Sequence, residues 1–410
     1  MRLLYDIALY IYYLLIRIAA LKNPKAQLWL NGRKKQFEAI RDKVSKSDDL
    51  VWVHCASLGE FEQGRPLIEA IKTRYPQKKI MLTFYSPSGY EVMKNYKQAD
   101  YVFYLPLDTY FNAKKFIELT SPKVVFFIKY EYWYNFLRIL TKKNIPTYFV
   151  SAIFRENQLF FKWYGAWYRK MLKLPNHFFV QNEDSARLLK SLSINNYTIS
   201  GDTRFDRVAS IIANARPLVE VENFVNGNKV IVAGSSWRSE EALLFQYLRL
   251  NPDVKAVIAP HEIEESNIQR ILAQYGEKAV AFSSINGKSI QHKQVLVIDC
   301  YGKLSSIYQY GKIAIIGGGF GVGIHNILEP ATFGMPIIFG PNYERFKEAV
   351  DLVERNCAFP VNNVEEFNTV LNHLLRNSVT SEKISTLTSD YVALNVGATH
   401  KIFDKVFANN

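Results

Sequence analysis

The sequence predicts an α/β protein of two domains, each built on a parallel sheet. The chain has 410 residues, and 48% of them are hydrophobic, which is enough for two cores of ordinary size. Short apolar runs alternate with amphipathic stretches, and this alternation is typical of parallel strands joined by helices. The series is interrupted at Val208–Asn228, which contains no clear buried strand, and then restarts. We therefore expect the connection between the domains there.

The N-terminal segment predicts a membrane anchor. Residues 3–21 are apolar except for Asp6 and Arg17. This length suffices for a marginal transmembrane helix, and the tyrosines favour the membrane interface. No small-residue cleavage site follows, so a secretory signal is not indicated. Basic residues come next and keep the main body cytosolic, namely Lys22, Lys25, Arg33, Lys34 and Lys35. We expect an anchor at 1–21, spanning or interfacial, and the alternative is a buried core helix.

Apolar runs predict the strands of both domains. In the first half they are Leu50–Cys55, Ile80–Tyr85, Tyr101–Leu105, Val124–Ile128, Thr147–Val150 and Phe178–Val180. Helix-like segments between them are Gly64–Tyr75, Tyr110–Leu119, Glu131–Thr141 and Glu183–Ser191. In the second half the runs are Val230–Ala233, Ala256–Ala259, Val295–Asp299, Ile313–Ile316 and Ile337–Phe339. We assign a first domain to 22–210, a second to 211–391, and a C-terminal helix to 392–410 that packs back on the first domain.

Charge is distributed unevenly along the chain. Residues 1–210 hold 33 Lys and Arg against 18 Asp and Glu, whereas residues 211–410 hold 18 against 20. The net charge of the first half is therefore +15, which favours an anionic partner. Candidates for this partner are a membrane surface, a phosphorylated lipid and a nucleic acid. The alternative is an ordinary solvated surface. The cysteines, Cys55, Cys300 and Cys357, lie far apart and form neither a metal-binding spacing nor a disulfide framework, so we expect no metal site.

The most informative stretch is 317–341, which reads GGGFGVGIHNILEPATFGMPIIFGP. It leads from a predicted strand, through glycines and His325-Asn326, to a helix start that carries Glu329. Glycines let a backbone approach a phosphate, and a helix N-terminus supplies N–H donors for it. A carboxylate one turn into the helix is well placed to accept hydrogen bonds from ribose hydroxyls. We interpret the stretch as a nucleotide-sugar site, and the alternative is a tight strand–helix connection that binds nothing.

Two other phosphate-binding motifs are absent from the sequence. G-x-G-x-x-G does not occur in 317–323, nor in the first strand–helix turn at 54–60. No G-x-x-x-x-G-K-[ST] occurs either. A dinucleotide-binding fingerprint and a P-loop are therefore not indicated.

Two carboxylates follow predicted strands and are candidates for proton transfer. Glu60 starts a helix, where the helix dipole favours an anion, and it could accept a proton from an attacking hydroxyl. Glu131 follows another buried strand and so lies at the same edge of the sheet. The alternative role of Glu60 is charge complementarity at the helix N-terminus. Glu62 points elsewhere, because residues two positions apart on a helix do not share a face.

Further anion contacts are expected at Arg204, Ser235 and Ser236. Arg204 could bind a substrate carboxylate or phosphate as a bidentate donor, or form a surface ion pair with Asp202 or Asp206. The two serines follow the first strand of the second domain, beside a helix N-terminus that favours anions. An ordinary capping box is the alternative there.

In combination, these motifs resemble the Kdo transferases of lipopolysaccharide synthesis (3-deoxy-D-manno-oct-2-ulosonic acid transferases), over nearly the whole chain to about Phe346. The motifs are Ser57-Leu-Gly-Glu60, Ser86-Pro-Ser-Gly89, Glu131-x-Trp133-x-Asn135, Gly201-x-x-x-Phe-Asp206 and the stretch 317–341. The resemblance implies a GT-B glycosyltransferase fold, in which two Rossmann-like domains face each other across a cleft. The first then binds the acceptor and the second the donor.

The resemblance also implies the reaction and its residues. Kdo passes from CMP-Kdo to a lipid A precursor (lipid IVA), with inversion and without a cofactor or catalytic metal. The resemblance places the reaction on the cytoplasmic side of an anionic bacterial inner membrane. It implies neither a nucleic-acid partner nor an obligate protein partner. Glu60 is then the general base and Glu131 a second acceptor-side carboxylate. The residues that hold CMP are Gly318, Gly319, His325, Asn326 and Glu329, with Glu329 on the ribose.

Several positions depart from the family pattern. Arg204 stands where the family usually carries Lys, and Lys129 where it often carries Glu. Tyr134 occupies a position where the family often has Pro. This chain has Pro260-His-Glu262 where the family usually has Pro-Arg-His, and Ser236-Trp237 where it usually has Thr-His. These departures indicate a divergent branch, in which one basic phosphate contact is changed.

Two alternative functions stay open on the sequence. Another GT-B glycosyltransferase that uses a UDP-sugar would keep Glu329-Pro330 but be protected by UDP rather than CMP. A basic membrane-associated scaffold or nucleic-acid-binding protein would bind DNA or RNA in a salt-sensitive way, with no effect of nucleotides.

Overall fold

Two compact units make up the chain in a computed structural model, which describes residues 2–285, 287 and 289–407. The first unit comprises Met1–Arg207 and Val396–Asn410, and the second comprises Val208–Asn395. Each unit carries one sheet of seven parallel strands. The predicted α/β class with two parallel-sheet domains is confirmed.

The first sheet has the strand order β3-β2-β1-β4-β5-β6-β7. Its strands are β1 Leu50–Cys55, β2 Lys79–Phe84, β3 Tyr101–Tyr104, β4 Val124–Ile128, β5 Thr147–Ala152, β6 His177–Val180 and β7 Tyr197–Ile199. Every residue of β1 and β4 is buried, because a parallel sheet is covered on both faces. The direction in which strands are added reverses between β1 and β4. Such a reversal opens a crevice at the carboxyl ends of the two strands.

Helices α1 to α10 belong wholly or partly to the first unit. They are α1 Arg2–Ala19, α2 Pro24–Asn31, α3 Gln36–Lys43, α4 Leu58–Arg74, α5 Pro87–Met93, α6 Tyr110–Thr120, α7 Tyr134–Lys142, α8 Ala166–Met171, α9 Glu183–Ser191 and α10 Thr203–Asn214. Several begin at a polar N-cap: Thr109 accepts a hydrogen bond from the backbone of Asn112, and Asn182 accepts one from Ser185. The boundary between the units falls within α10.

The second sheet has the order β10-β11-β9-β8-β12-β13-β14. Its strands are β8 Val230–Ser236, β9 Lys255–Pro260, β10 Ala279–Ala281, β11 Val295–Val297, β12 Ile313–Ile316, β13 Ile337–Phe339 and β14 Ala358–Pro360. Its helices are α11 Val219–Val225, α12 Arg238–Leu250, α13 Glu265–Tyr275, α14 Leu304–Ile307, α15 Leu328–Thr332, α16 Lys347–Glu354, α17 Val364–Arg376 and α18 Ser378–Asn395. In this sheet, the direction in which strands are added reverses between β8 and β12.

The last helix, α19 (Ala398–Phe407), returns to the first unit. Its apolar residues join the buried cluster on one face of the first sheet, and the ring of Phe403 stacks on that of Tyr75. Asp206 fixes the start of the segment, because its carboxylate accepts hydrogen bonds from the backbone N–H groups of Gly397 and Thr399 and from the Thr399 hydroxyl, each at 2.6 Å.

The eleven apolar runs predicted as strands are all strands. The prediction missed β7, β10 and β14, which have three residues each and lie at or beside the sheet edges. Short edge strands carry little hydrophobic periodicity, and β14 ends in Pro360, which an edge tolerates.

The N-terminal helix α1 lies against the first unit along one face. The Tyr5 hydroxyl donates to the buried Asp108 carboxylate at 2.7 Å, and the Asn135 amide donates to Asp6 at 2.8 Å. The opposite face exposes 43–71% of seven apolar side chains, which are Leu3, Leu4, Ile7, Ile11, Leu14, Leu15 and Ile18. Within the described ranges, no helix is both long and apolar enough to cross a membrane. Anchoring of the protein at a membrane by this helix stays a prediction.

Candidate functional site

Glu60 and Glu131 follow the two strands at which the first sheet reverses. Glu60 lies in the first turn of α4, five residues after β1, and Glu131 lies three residues after β4. Both strands are paired directly, with His54 opposite Phe127. Burial raises the pKa of the Cys55 thiol at the end of β1, and the charges of Glu60 and Glu131 raise it further. The two carboxylates therefore share one neighbourhood at the crevice of the first unit.

The Glu60 carboxylate is half-buried at a helix N-terminus. The Ser57 hydroxyl donates to its Oε2. The partial positive charge at the first turn of α4 is complementary to a carboxylate. Ser57 bonds to one oxygen of this carboxylate, and the other oxygen is suited to accept a proton.

Glu131 is held more firmly than Glu60. Its side chain is 13% exposed, and its Oε2 accepts from the Trp133 indole at 2.7 Å and lies 3.3 Å from His54 Nε2. Lys129, two residues before, has a φ of 70°, a strained conformation for a residue with a side chain. Such strain clusters at functional sites, where the surrounding structure maintains it.

Glu62 is engaged away from this pair. Its carboxylate lies 3.3 Å from Arg65 Nη1 and 3.3 Å from Arg207 Nε. Two guanidinium partners fix it on another face of α4, as the sequence indicated.

Arg204 forms the ion pair that the sequence offered as its alternative role. Its Nε and Nη2 lie 2.9 and 2.8 Å from Oδ2 of Asp202, which is 7% exposed. Burial alone would raise the pKa of Asp202, but the charge and hydrogen bonds of Arg204 lower it overall. The contact of Arg204 with substrate stays a prediction.

In the second unit, the predicted donor-site residues converge at the β8/β12 reversal. Ser235 and Ser236 end β8, and Gly318, Gly319, His325, Asn326 and Glu329 follow β12. The register of β8 against β9 shifts at Ser235, whose φ is 48°. A bulge of this kind re-aims the backbone beside a site.

Two of the glycines are required by contacts between chain segments. A Cβ on Gly317 would lie 1.9 Å from the Ser235 carbonyl oxygen, and one on Gly319 would lie 2.4 Å from the Gly340 nitrogen. Gly318 has a φ of 90°, which favours glycine. Gly321 is different, because the nearest atom to a Cβ there is 3.6 Å away. The glycines therefore serve the tight connection at least in part, and Gly321 is the position with open space.

Of the two serines, Ser236 is engaged within the protein. Ser236 is buried, and its hydroxyl donates to Glu241 at 3.0 Å. The cap of α12 is formed instead by Glu240, which accepts from the backbone N–H of Trp237 at 3.1 Å and also from Gly318 at 3.0 Å. Burial raises the pKa of Glu240. This carboxylate ties the glycine turn to the helix N-terminus.

Three aromatic rings stack beside the glycine turn. The Trp237 and His261 ring centres are 4.7 Å apart, and those of His261 and His325 are 4.3 Å apart. The Trp237 indole N–H donates to His325 Nε2 at 2.9 Å. Burial and then the neighbouring His261 lower the pKa of His325. His325 is therefore neutral, with its proton on Nδ1, which leaves that N–H available as a donor.

Glu329 is oriented by two side chains. Ser305 donates to its Oε2 at 2.7 Å, and the Asn326 amide donates to its Oε1 at 3.1 Å. A cavity of about 500 Å³ opens beside the turn, lined among others by Trp237, Arg238 and Gly321. Across the described ranges, no group of three or more His, Cys, Asp and Glu is placed to hold a metal ion.

Comparison with known proteins finds similarity to one family. Residues 31–207 match the model of 3-deoxy-D-manno-octulosonic-acid transferase (kdotransferase). The 3-deoxy-D-manno-octulosonic acid transferase of Aquifex aeolicus is 27% identical over 354 residues, which cover 83% of this chain and 91% of that protein. The 3-deoxy-D-manno-octulosonic acid transferase of Haemophilus influenzae is 26% identical over 375 residues, which cover 86% of each chain. The chain is therefore similar to these transferases over most of its length.

Solved structures place the chain in the GT-B fold. The UDP-GlcNAc 2-epimerase of Neisseria meningitidis superposes with a TM-score of 0.62 at 16% identity, covering 88% of this chain and 100% of that one. MurG of Acinetobacter baumannii superposes with a TM-score of 0.55 at 11% identity, covering 88% of this chain and 99% of that one. At these identities the likeness concerns the fold alone.

Sequence reasoning missed the residues that orient the predicted ones. His54 and Trp133 hold Glu131, Ser305 holds Glu329, and Trp237 holds His325. Trp133 lies inside a recognised motif and His54 lies in the predicted strand Leu50–Cys55, so their polar side chains were a usable signal. Ser305 is 24 residues from its partner, and nothing in the local sequence marks it.

Proposed function

We propose that this protein transfers Kdo from CMP-Kdo to a hydroxyl of a lipid A precursor (lipid IVA), with inversion, in lipopolysaccharide core biosynthesis. The observation that carries the proposal is the pair of oriented carboxylates at the strand reversal of the first unit. Glu60 acts as the general base, and Glu131 orients the acceptor or the base.

The proposed chemistry is one direct displacement. The acceptor oxygen attacks the anomeric carbon of Kdo, the bond from that carbon to the CMP phosphate breaks, and CMP leaves with the bonding electrons. Glu60 accepts the hydroxyl proton as the new bond forms. Attack from the face opposite the leaving group inverts the anomeric centre. Because CMP carries a single phosphate, we propose that no metal ion or other cofactor is needed, so that EDTA leaves the rate unchanged.

We propose that CMP binds at the glycine turn of the second unit. Glu329 accepts from the ribose hydroxyls, since Ser305 and Asn326 already set its orientation. The Nδ1–H of His325 and the backbone at Gly318 and Gly319 are the proposed donors to the nucleotide. Glu329→Ala is expected to weaken donor binding, and an unchanged affinity for CMP would remove its ribose role.

We propose that the enzyme works on the cytoplasmic face of an anionic bacterial membrane, with α1 in the interface. The exposed apolar face of α1 supports this, and interfacial helices bury such a face at the headgroup boundary. The excess of basic residues in the first 210 positions adds attraction to anionic lipid. Binding to anionic vesicles should survive high salt, and should be reduced in Leu14→Gln/Leu15→Gln but not in Leu250→Gln, a matched exposed position in the second unit.

The experiment that tests the function is transfer from freshly generated CMP-Kdo to a tetraacylated lipid A precursor. Wild type should give product, and the product's mass would count the Kdo residues added. Glu60→Ala should give none while it still binds CMP. Protection of the wild type by UDP rather than CMP, or salt-sensitive binding of nucleic acid without transfer, would reject the proposed donor and acceptor.

A further inference from the structure

His54 is a buried ionisable side chain to which the proposed mechanism gives no role. It lies in β1 with no exposed surface. Its Nδ1 is 2.8 Å from the Thr83 hydroxyl, and its Nε2 is 3.3 Å from Glu131 Oε2. Thr83 in turn accepts from the Trp52 indole N–H at 2.8 Å. A buried hydrogen-bonded chain therefore runs from Trp52 through Thr83 and His54 to Glu131.

The donors and acceptors of this chain fix where the imidazole proton lies. Because Thr83 Oγ1 already accepts from Trp52, its own hydrogen is free to be donated to His54 Nδ1. His54 then carries its proton on Nε2 and donates it to Glu131. In the other tautomer, the Nε2 lone pair would face a carboxylate oxygen, and the Thr83 hydrogen would have no acceptor among the described contacts. Buried polar groups are rarely left without partners.

We propose that His54 is a positioning residue for Glu131, acting as a neutral Nε2–H donor. His54 and the Trp133 indole both bond to Oε2 of Glu131. The carboxylate is thereby held in one rotamer, and its Oε1 is left to face the acceptor. Trp52 and Thr83 select the tautomer that makes this possible. The inference rests on the proposed role of Glu131 as an acceptor-side carboxylate.

A purely structural role for His54 would predict different behaviour. Its ring packs edge-on against Phe127 and Trp133, at 5.7 and 6.5 Å between ring centres. If packing were its whole contribution, His54→Phe would preserve function, and the tautomer would not matter. His54→Gln keeps an N–H donor at the reach of Nε2.

The first test is the tautomer of His54 in the ¹⁵N-histidine-labelled full-length protein. Its signal is assigned among the seven histidines by its absence from the His54→Gln spectrum. The inference predicts an Nε2–H tautomer in wild type, because Nε2 faces the Glu131 carboxylate. An Nδ1–H tautomer in wild type would overturn it. This measurement needs no substrate, so it stands even if the protein fails to transfer Kdo.

The second test is transfer kinetics at saturating CMP-Kdo. Removing a hydrogen-bonding partner that orients a metal ligand typically costs about 10–100-fold, and we expect a loss of the same order for a partner that orients a carboxylate. His54→Phe should lose that much in kcat with the KM for CMP-Kdo unchanged, and His54→Gln should recover most of it. Equal rates for His54→Phe and wild type would overturn the inference. Absence of transfer in the wild type would instead reject the proposed function and leave the tautomer result to decide.

Discussion

The Gly319→Ala substitution tests whether the glycine turn is shaped by chain packing. A Cβ at this position would lie 2.4, 2.7 and 2.8 Å from N, Cα and O of Gly340. All three are backbone atoms, so a side-chain rotation cannot relieve the overlap, and the two segments must separate by about 1 Å to restore ordinary contact. Overpacking of this kind typically costs about 1–3 kcal/mol, and we expect the upper half of that range. For a unit of this size, 2–3 kcal/mol lowers Tm by about 4–12 °C.

The matched control is Gly321→Ala, in the same turn. The nearest atom to its Cβ would be the Gly318 oxygen at 3.6 Å, an ordinary contact. Alanine lowers the conformational entropy of the unfolded chain relative to glycine, which stabilises the folded protein by about 0.4–1 kcal/mol. This effect applies to both variants and cancels in their comparison. Differential scanning calorimetry should show the Tm of Gly319→Ala several degrees below that of Gly321→Ala. Equal Tm values would refute the packing argument. Loss of CMP affinity in Gly321→Ala without loss of stability would show that this glycine makes room for ligand.

Three further substitutions probe the two sites. Trp237→Phe keeps the ring stack but removes the N–H donated to His325, so CMP should bind about 2–10-fold more weakly, and the pKa of His325 should rise, as followed by NMR titration. Arg204→Gln leaves buried Asp202 without its charged partner and should cost about 1–3 kcal/mol in urea unfolding. Because the pKa of Asp202 is lowered in the folded state, that loss should be full at neutral pH and shrink as the pH falls below about 4; a loss independent of pH would contradict the ion-pair argument. Asp206→Asn weakens the hydrogen bonds that tie down the C-terminal segment, so proteolysis near residue 396 should accelerate, and unchanged proteolysis would contradict the tether.

The parts of the fold that could be predicted are those set by local pattern. Buried parallel strands such as β1 and β4 are continuous apolar runs, and glycines and polar residues end them. The placement of Glu60 and Glu131 at one edge followed from chain order alone, because the carboxyl ends of parallel strands share an edge.

The parts that could not be predicted depend on contacts between distant segments. Glycines at 317 and 319 fit a ligand-binding turn and a tight chain crossing equally well, and only the distances to Ser235 and Gly340 separate the two. The length and apolar character of α1 suggested an anchor, but they did not show that Tyr5 and Asp6 bond to residues 103 and 129 positions away. Such long-range hydrogen bonds leave no periodicity in the sequence.

The most direct test of the proposed mechanism is the turnover of Glu60→Gln beside Glu62→Gln. The two residues share one helix, but Glu60 faces the crevice and Glu62 is held by Arg65 and Arg207. With CMP-Kdo and lipid A precursor both saturating, loss of the general base should lower kcat about 10²–10⁴-fold in Glu60→Gln. Glu62→Gln should stay within a few-fold of wild type. A Glu60→Gln enzyme with near-wild-type turnover, or an equal loss in both variants, would contradict the assignment of Glu60 as the base.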